Sequence, residues 1–302
     1  VFKKLVYCYM ILGGIALVLA LLGALCGKRF ALAQKILFAA FSICFAAHTL
    51  ALALRWYVAA HAPWSDSYES MIYIGWSAAL AGIIFFRKSL LTLSASCLLA
   101  SIVMLVAHMS FVNPQITNLV PVLKSYWLSI HVSVITASYG FLGLSCLLGL
   151  LALVLMALKN GANRERLNAQ IRYITAINEI SLIVGLSMLT LGNFFGGVWA
   201  NESWGRYWGW DSKETWSYVS IIVYAIVLHL KLIPKLGSIY VYCVSSTLAY
   251  SSIIMTYFGV NFYLTGMHSY AAGDAPQIPA PFYCIIAAVF LIIALAFRGR
   301  DV

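Results

Sequence analysis

The sequence predicts an all-α, polytopic membrane bundle of about nine transmembrane helices, with a tryptophan-rich loop outside the bilayer. Three observations lead there. Of 302 residues, 63% are hydrophobic and only 9% charged, and mean hydropathy is +0.92, a balance that a water-soluble domain of this length cannot expose without aggregating. Apolar windows recur at lengths that cross a hydrocarbon core, where the backbone's own polar groups demand helices. The period-two alternation of a membrane barrel is absent.

The elements follow in order. The first window, 5–26, is too long for a signal-peptide core and has no small-residue cleavage pattern after it, so it reads as a retained helix. Further windows cover 36–54, 70–86, 89–109, 128–158, 173–195, 217–231, 238–258 and 282–297. The expectation is one transmembrane domain over 1–302, with N-terminal helices in 1–60 and a functional core in 61–302. Imposed alternation puts thirteen cations, among them Lys28, Arg29, Lys159, Arg164, Arg166, Lys231 and Arg298, on one side. The other side holds only Lys3, Lys4, Arg55, Lys124, Arg206 and Lys213, with Asp66, Glu69, Glu202, Asp211, Glu214 and Asp274. The positive-inside rule makes the first side cytoplasmic. The net charge of +10 is then topology rather than a nucleic-acid footprint, and no nucleic-acid partner is expected. Nine spans with a cytoplasmic end place Val1 outside against the preference of Lys3 and Lys4; a non-Met start suggests an external region before it, which escapes the charge rule.

Seven cysteines (Cys8, Cys26, Cys44, Cys97, Cys146, Cys243 and Cys284) lie in or beside apolar runs without a C-x-x-C pair, which predicts buried, inert thiols. No P-loop and no solenoid repeat occur, so an ATP-driven pump is not encoded.

Function should lie on the external side, where "WANESWGRYWGWDSKETWSY", 199–218, concentrates Trp199, Trp204, Trp208, Trp210 and Trp216. An interfacial aromatic belt explains one or two such rings. Five, interleaved with Gly205 and Gly209, suit a large planar apolar ligand with charged edges, the shape of a porphyrin. A haem also needs axial nitrogen. His131 in "SYWLSIHV" and His268 in "TGMHSY" can flank the loop from neighbouring helices. His229 in "AIVLHLK" falls nearly a bilayer depth away, and an ionisable group within a span is a functional candidate. His48, His61 and His108 are expected to be structural.

At these residues the sequence resembles a known family. "WGRYWGWDSKETWSY" looks like the WWD signature of haem-handling proteins in cytochrome c maturation, and its ending, Asp211, Lys213, Glu214, Thr215 and Trp216, is similar to the CcsA (ResC) branch of the System II cytochrome c synthase. "HAPWSDSYES", "LKSYWLSIHV" and "GVNFYLTGMHSY" also resemble that family, in its order. The resemblance implies that His131 and His268 ligate haem iron (haem b) outside the bilayer and that His229 is a transmembrane haem ligand. It implies a haem lyase that joins haem to the C-x-x-C-H cysteines of apocytochrome c, acting with a CcsB (Ccs1) partner, separate or fused upstream. The lack of a C-x-x-C-H motif here says that this chain does not itself carry covalent haem. The tryptophans and Asp211 would embrace the ring, and Lys213 or Arg206 would pair with its propionates. The setting implied is a bacterial cytoplasmic membrane with the site facing the periplasm or exterior, or a thylakoid membrane. A haem exporter or chaperone without ligation, and a b-type electron-transfer subunit, are the alternatives; the second usually pairs histidines on one helix, which this sequence lacks.

Overall fold

The computed structural model describes residues 1–86, 89–109, 112–116, 118, 124–264, 266 and 277–302. Within them the chain is helical: α1 Phe2–Cys26, α2 Ala31–Ala59, α3 Ser67–Phe85, α4 Leu90–Ala107, α5 Tyr126–Ala157, α6 Arg164–Trp204, α7 Ser212–His229, α8 Ile239–Ile254, α9 Val260–Tyr263 and α10 Ala280–Ala296. A π turn, Met255–Gly259, joins α8 to α9 into one span. Among the described residues, nine helical segments are long and apolar enough to cross a membrane. The protein is a polytopic helical membrane bundle.

Polar side chains set several helix starts. Asp66 accepts from Glu69 N at 2.7 Å at the head of α3, and Ser89 and Ser238 accept from Thr92 N and Val241 N, each at 3.2 Å. Each satisfies a backbone donor that a first turn leaves without a helical acceptor. α6, at 41 residues, is about 60 Å long, roughly twice the hydrocarbon thickness. It therefore continues beyond the lipid at its ends.

The contacts sort the chain into two compact units. The first comprises 1–23, 29–144 and 184–209. Its core gathers Leu5, Tyr9, Phe41, Leu93, Cys97 and Met104 from α1, α2 and α4, with Ala79 from α3. α3 and α4 approach closely because Gly75 faces Met104 and Gly82 faces Ser96, the small-residue packing that brings membrane helices together. Ser96 Oγ then donates to Ala78 O at 2.6 Å and Ser94 Oγ to Gly13 O at 2.9 Å. Phe38 stacks on Phe86 with ring centroids 4.1 Å apart.

The second unit comprises 24–28, 145–183 and 210–302. Asn178, fully buried, is its polar centre: Oδ1 accepts from Ser145 Oγ at 2.6 Å and from Tyr242 OH at 3.3 Å, while Nδ2 donates to Ser246 Oγ at 3.0 Å. Arg166 donates to the Ala24 and Leu25 carbonyls at 3.3 and 3.1 Å, closing the C-terminus of α1 beside Gly27, whose φ is +73°. Cations at a helix C-terminus also complement its dipole. All seven cysteines are free thiols. Cys97 and Cys243 are buried, whereas Cys8, Cys26 and Cys284 are exposed, so the expectation of buried thiols holds only for part of the set: the apolar runs that carry the others turn outward.

Candidate functional site

In the first unit, α5 and α6 run antiparallel along a seam of glycines. A Cβ added to Gly185 would stand 2.7 Å from the Leu142 side chain, one on Gly192 would stand 3.1 Å from Ile135 N, and one on Gly196 would stand 2.6 Å from His131 Cε1. The missing side chains let the two backbones close. His131, in the second turn of α5, lies on this seam. Its Nδ1 is 2.7 Å from the Gly192 carbonyl oxygen. A carbonyl only accepts, so Nδ1 carries the proton and donates it, leaving the imidazole lone pair on Nε2. Metal-ligating histidines characteristically hold their second nitrogen this way.

Two further bonds fix the beginning of α5. Ser125 Oγ donates to Glu202 Oε2 at 3.0 Å, and Trp64 Nε1 donates to Ser129 O at 3.1 Å, two residues before His131. Trp64 belongs to the α2–α3 connection, which is held by a buried ion pair: Arg55 Nε reaches Glu69 Oε1 at 2.8 Å, with Glu69 wholly enclosed. Arg55 also donates to Pro114 O at 3.2 Å, and Ser65 N donates to Glu69 Oε2 at 3.0 Å. Burial, with the like charge of Glu69 adding, raises the Asp66 carboxyl above its usual range against the opposing hydrogen bond from Glu69 N and the charge of Arg55.

The tryptophan-rich stretch is less of a loop than its composition suggests. α6 continues to Trp204 and α7 begins at Ser212, so only 205–211 is irregular. Trp199 is buried, 1% exposed, and its ring meets Trp204 edge-on at 4.8 Å between centroids. Gly205 has a φ of +70°, a left-handed conformation in which a Cβ is strained. The segment then folds back on α6, where a Cβ on Gly197 would lie 3.2 Å from Tyr207 O. The Arg206 guanidinium sits 5.6 Å over the Trp204 ring and packs on the Gly209 backbone, where a side chain would collide with it. Trp208 is half-buried.

In the second unit, Trp210 takes a φ of 57°, rare for a bulky residue, and is 71% exposed. Asp211 and Glu214 form a capping box: Lys213 N donates to Asp211 Oδ2 and Asp211 N to Glu214 Oε2, each at 3.2 Å. Part of the D-x-K-E pattern is thus a helix start. Lys213 Nζ donates to Asn261 Oδ1 at 2.8 Å. The Trp216 carbonyl accepts from Ser220 Oγ and Thr256 Oγ1 at 2.9 and 3.1 Å.

His229 is the last residue of α7 and is exposed, its Nδ1 2.7 Å from Ala225 O. It lies about 26 Å along the helix from Ser212. Two residues on, Lys231 pairs with Glu179. His268 and Asp274 lie outside the described residues. The other histidines have partners in the first unit: Tyr9 OH lies 3.4 Å from His48 Nδ1, His108 Nδ1 2.7 Å from Met104 O, and His61 Nδ1 3.2 Å from Ala62 O.

Sequence reasoning passed over Gly192, Gly196 and Trp64. The glycines did leave a signal, since 185, 192 and 196 are seven and four apart and so share a helix face.

Comparison with known proteins adds a lineage. A family model described as Cytochrome C assembly protein matches residues 64–268. Protein NrfI of Wolinella succinogenes is 58% identical over 232 residues, which are 77% of this chain and 26% of NrfI. Cytochrome c biogenesis protein CcsA of Prochlorococcus marinus (strain MIT 9301) is 32% identical over 248 residues, 74% of this chain and 80% of that protein. Cytochrome c biogenesis protein CcsA of Chlamydomonas reinhardtii is 34% identical over 232 residues, 73% of this chain and 64% of that one. The chain spans about a quarter of NrfI but most of the Prochlorococcus protein. The matched run takes in Trp64, His131, the glycine seam, the tryptophan-rich stretch and His229, and the chain belongs to the cytochrome c assembly protein family.

Proposed function

We propose that this chain receives haem as a substrate, holds it beside the tryptophan-rich stretch with His131 and His268 as axial ligands, and promotes its attachment to a C-x-x-C-H segment of apocytochrome c. The observation that carries the reading is the His131 imidazole, anchored through Nδ1 to Gly192 O at 2.7 Å, beside a helix that ends in Trp199 and Trp204. Trp199 serves as a backing ring, while Trp204, Trp208, Trp210 and Trp216 provide faces for the macrocycle. Asp211 shapes the approach to α7. Arg206 and Lys213 are the candidate propionate partners, and each takes a propionate by sharing or exchanging the partner it has here.

The reaction is an addition. Each cysteine thiol contributes its sulfur to one vinyl carbon and its proton to the other, so one S–H bond and one C=C π bond are replaced by C–S and C–H bonds. No net oxidant is consumed. The protein's part is to hold reduced haem and peptide in register, which converts a bimolecular encounter into a positioned one. The substrate histidine then displaces one axial ligand and the product leaves. His229, at the far end of α7, is the intake ligand in this scheme, on the side where the cations collect. A CcsB-type subunit or fused region is the partner, and the setting is a bacterial cytoplasmic membrane with the tryptophan-rich side facing the periplasm.

Membranes containing the chain and its CcsB-type partner, given dithionite-reduced haem and a C-x-x-C-H apocytochrome, test this. The expected product is a peptide whose mass includes haem after denaturation and solvent extraction. Transfer of haem that washes out entirely supports the exporter or chaperone reading instead, and reversible redox cycling with no transfer supports an electron-transfer subunit.

A further inference from the structure

We infer that Gly196 is a positioning residue for His131: the absence of a side chain there is what lets the imidazole lie against α6 and donate Nδ1–H to the Gly192 carbonyl. The inference rests on the reading of His131 as a haem ligand and adds the device that aims it. A Cβ on Gly196 would stand 2.6 Å from Cε1, 2.8 Å from Nδ1 and 3.3 Å from Nε2 of that ring. No van der Waals contact tolerates the first two, so something must shift, and the atoms in the way are those of the ring. The displacement falls on the group whose 2.7 Å bond selects the tautomer. The other seam glycines face different neighbours. Gly192 meets Ile135 backbone and Gly185 meets Leu142, so their role toward α5 is packing. Gly192 supplies the carbonyl that accepts from Nδ1, but of the three only Gly196 has the ring where its own Cβ would stand.

An orienting partner of a metal ligand is typically worth about 10–100-fold in affinity. The test uses the full chain with its partner in lipid nanodiscs, loaded with ferric haem, and reads haem retention together with spin state, with and without added imidazole. Gly196→Ala should weaken haem retention about 10–100-fold and shift bound haem from six-coordinate low-spin toward five-coordinate, and free imidazole should restore the low-spin spectrum. Gly185→Ala, on the same seam, should leave the spectrum as in the wild type. In a His131→Gly background, where no ring remains to collide, adding Gly196→Ala should produce no further loss.

Two results overturn the inference: a wild-type spectrum in Gly196→Ala, or an equal loss from Gly196→Ala with and without the His131 ring. Both leave the ligand reading intact if His131→Gly alone changes the spectrum. An unchanged spectrum in His131→Gly removes the ligand reading and this inference with it. Should Gly196→Ala fail to accumulate, recovery of the protein in the double variant supports the inference, and failure of the double variant as well assigns Gly196 to packing and overturns it.

Discussion

What separates His131 from His108 and His229 is where its Nδ1 hydrogen bond goes. His108 and His229 turn Nδ1 to the carbonyl four residues back on their own helices, which any helical histidine can do. His131 reaches another helix, 61 positions on, so its ring direction is set by tertiary structure. Asp66 offers a residue-scale test of another kind. Burial raises its carboxyl, so the folded state binds that proton more tightly than the unfolded chain does. The linked stability is therefore full at low pH, falls as pH rises through the usual carboxylate range to the raised value, and is flat above it. Asp66→Asn keeps an acceptor at the head of α3 without titrating. Melting temperatures compared between about pH 4 and about pH 7 should show the wild type losing ground to Asp66→Asn as pH rises; parallel curves would contradict it.

At the scale of elements, hydropathy located the spans and misplaced several ends. The apolar window of α6, 173–195, marks its lipid-compatible part, whereas the helix runs from Arg164 to Trp204, because i→i−4 hydrogen bonding continues wherever the residues permit it. For α7 the apolar window opens at 217, five residues inside a helix that starts at Ser212, because the start is set by polar residues that hydropathy does not weigh: Asp211 and Glu214 form a capping box. The pairing of His131 with Gly192 was not legible, since no local pattern names a partner 61 positions away. The α2–α3 connection hid its organisation for the same reason: the charges of Arg55 and Glu69 were visible, but their enclosure was not. Glu69→Leu would leave Arg55, 10% exposed, without its carboxylate. Breaking a buried pair from one side costs roughly 3–5 kcal/mol, so the variant should melt markedly earlier, and a shift close to zero would show the pair to be dispensable.

For the whole molecule, composition settled the class: nine membrane-length helical segments stand among the described residues, and the family match covers 64–268. The division into two units was not foreseen. α5 and α6 each contribute to both, a feature that a linear reading of windows and loops has no means to express. The tryptophan-rich stretch likewise contributes 199–209 to the first unit and 210–218 to the second. The most direct measurement is electron paramagnetic resonance of ferric haem bound to the full chain with its partner, comparing wild type with His131→Ala. The wild type should give a low-spin, bis-imidazole signal, and His131→Ala a high-spin signal that returns to low-spin on addition of imidazole. An identical low-spin signal in both proteins would mean that the iron takes its ligands elsewhere.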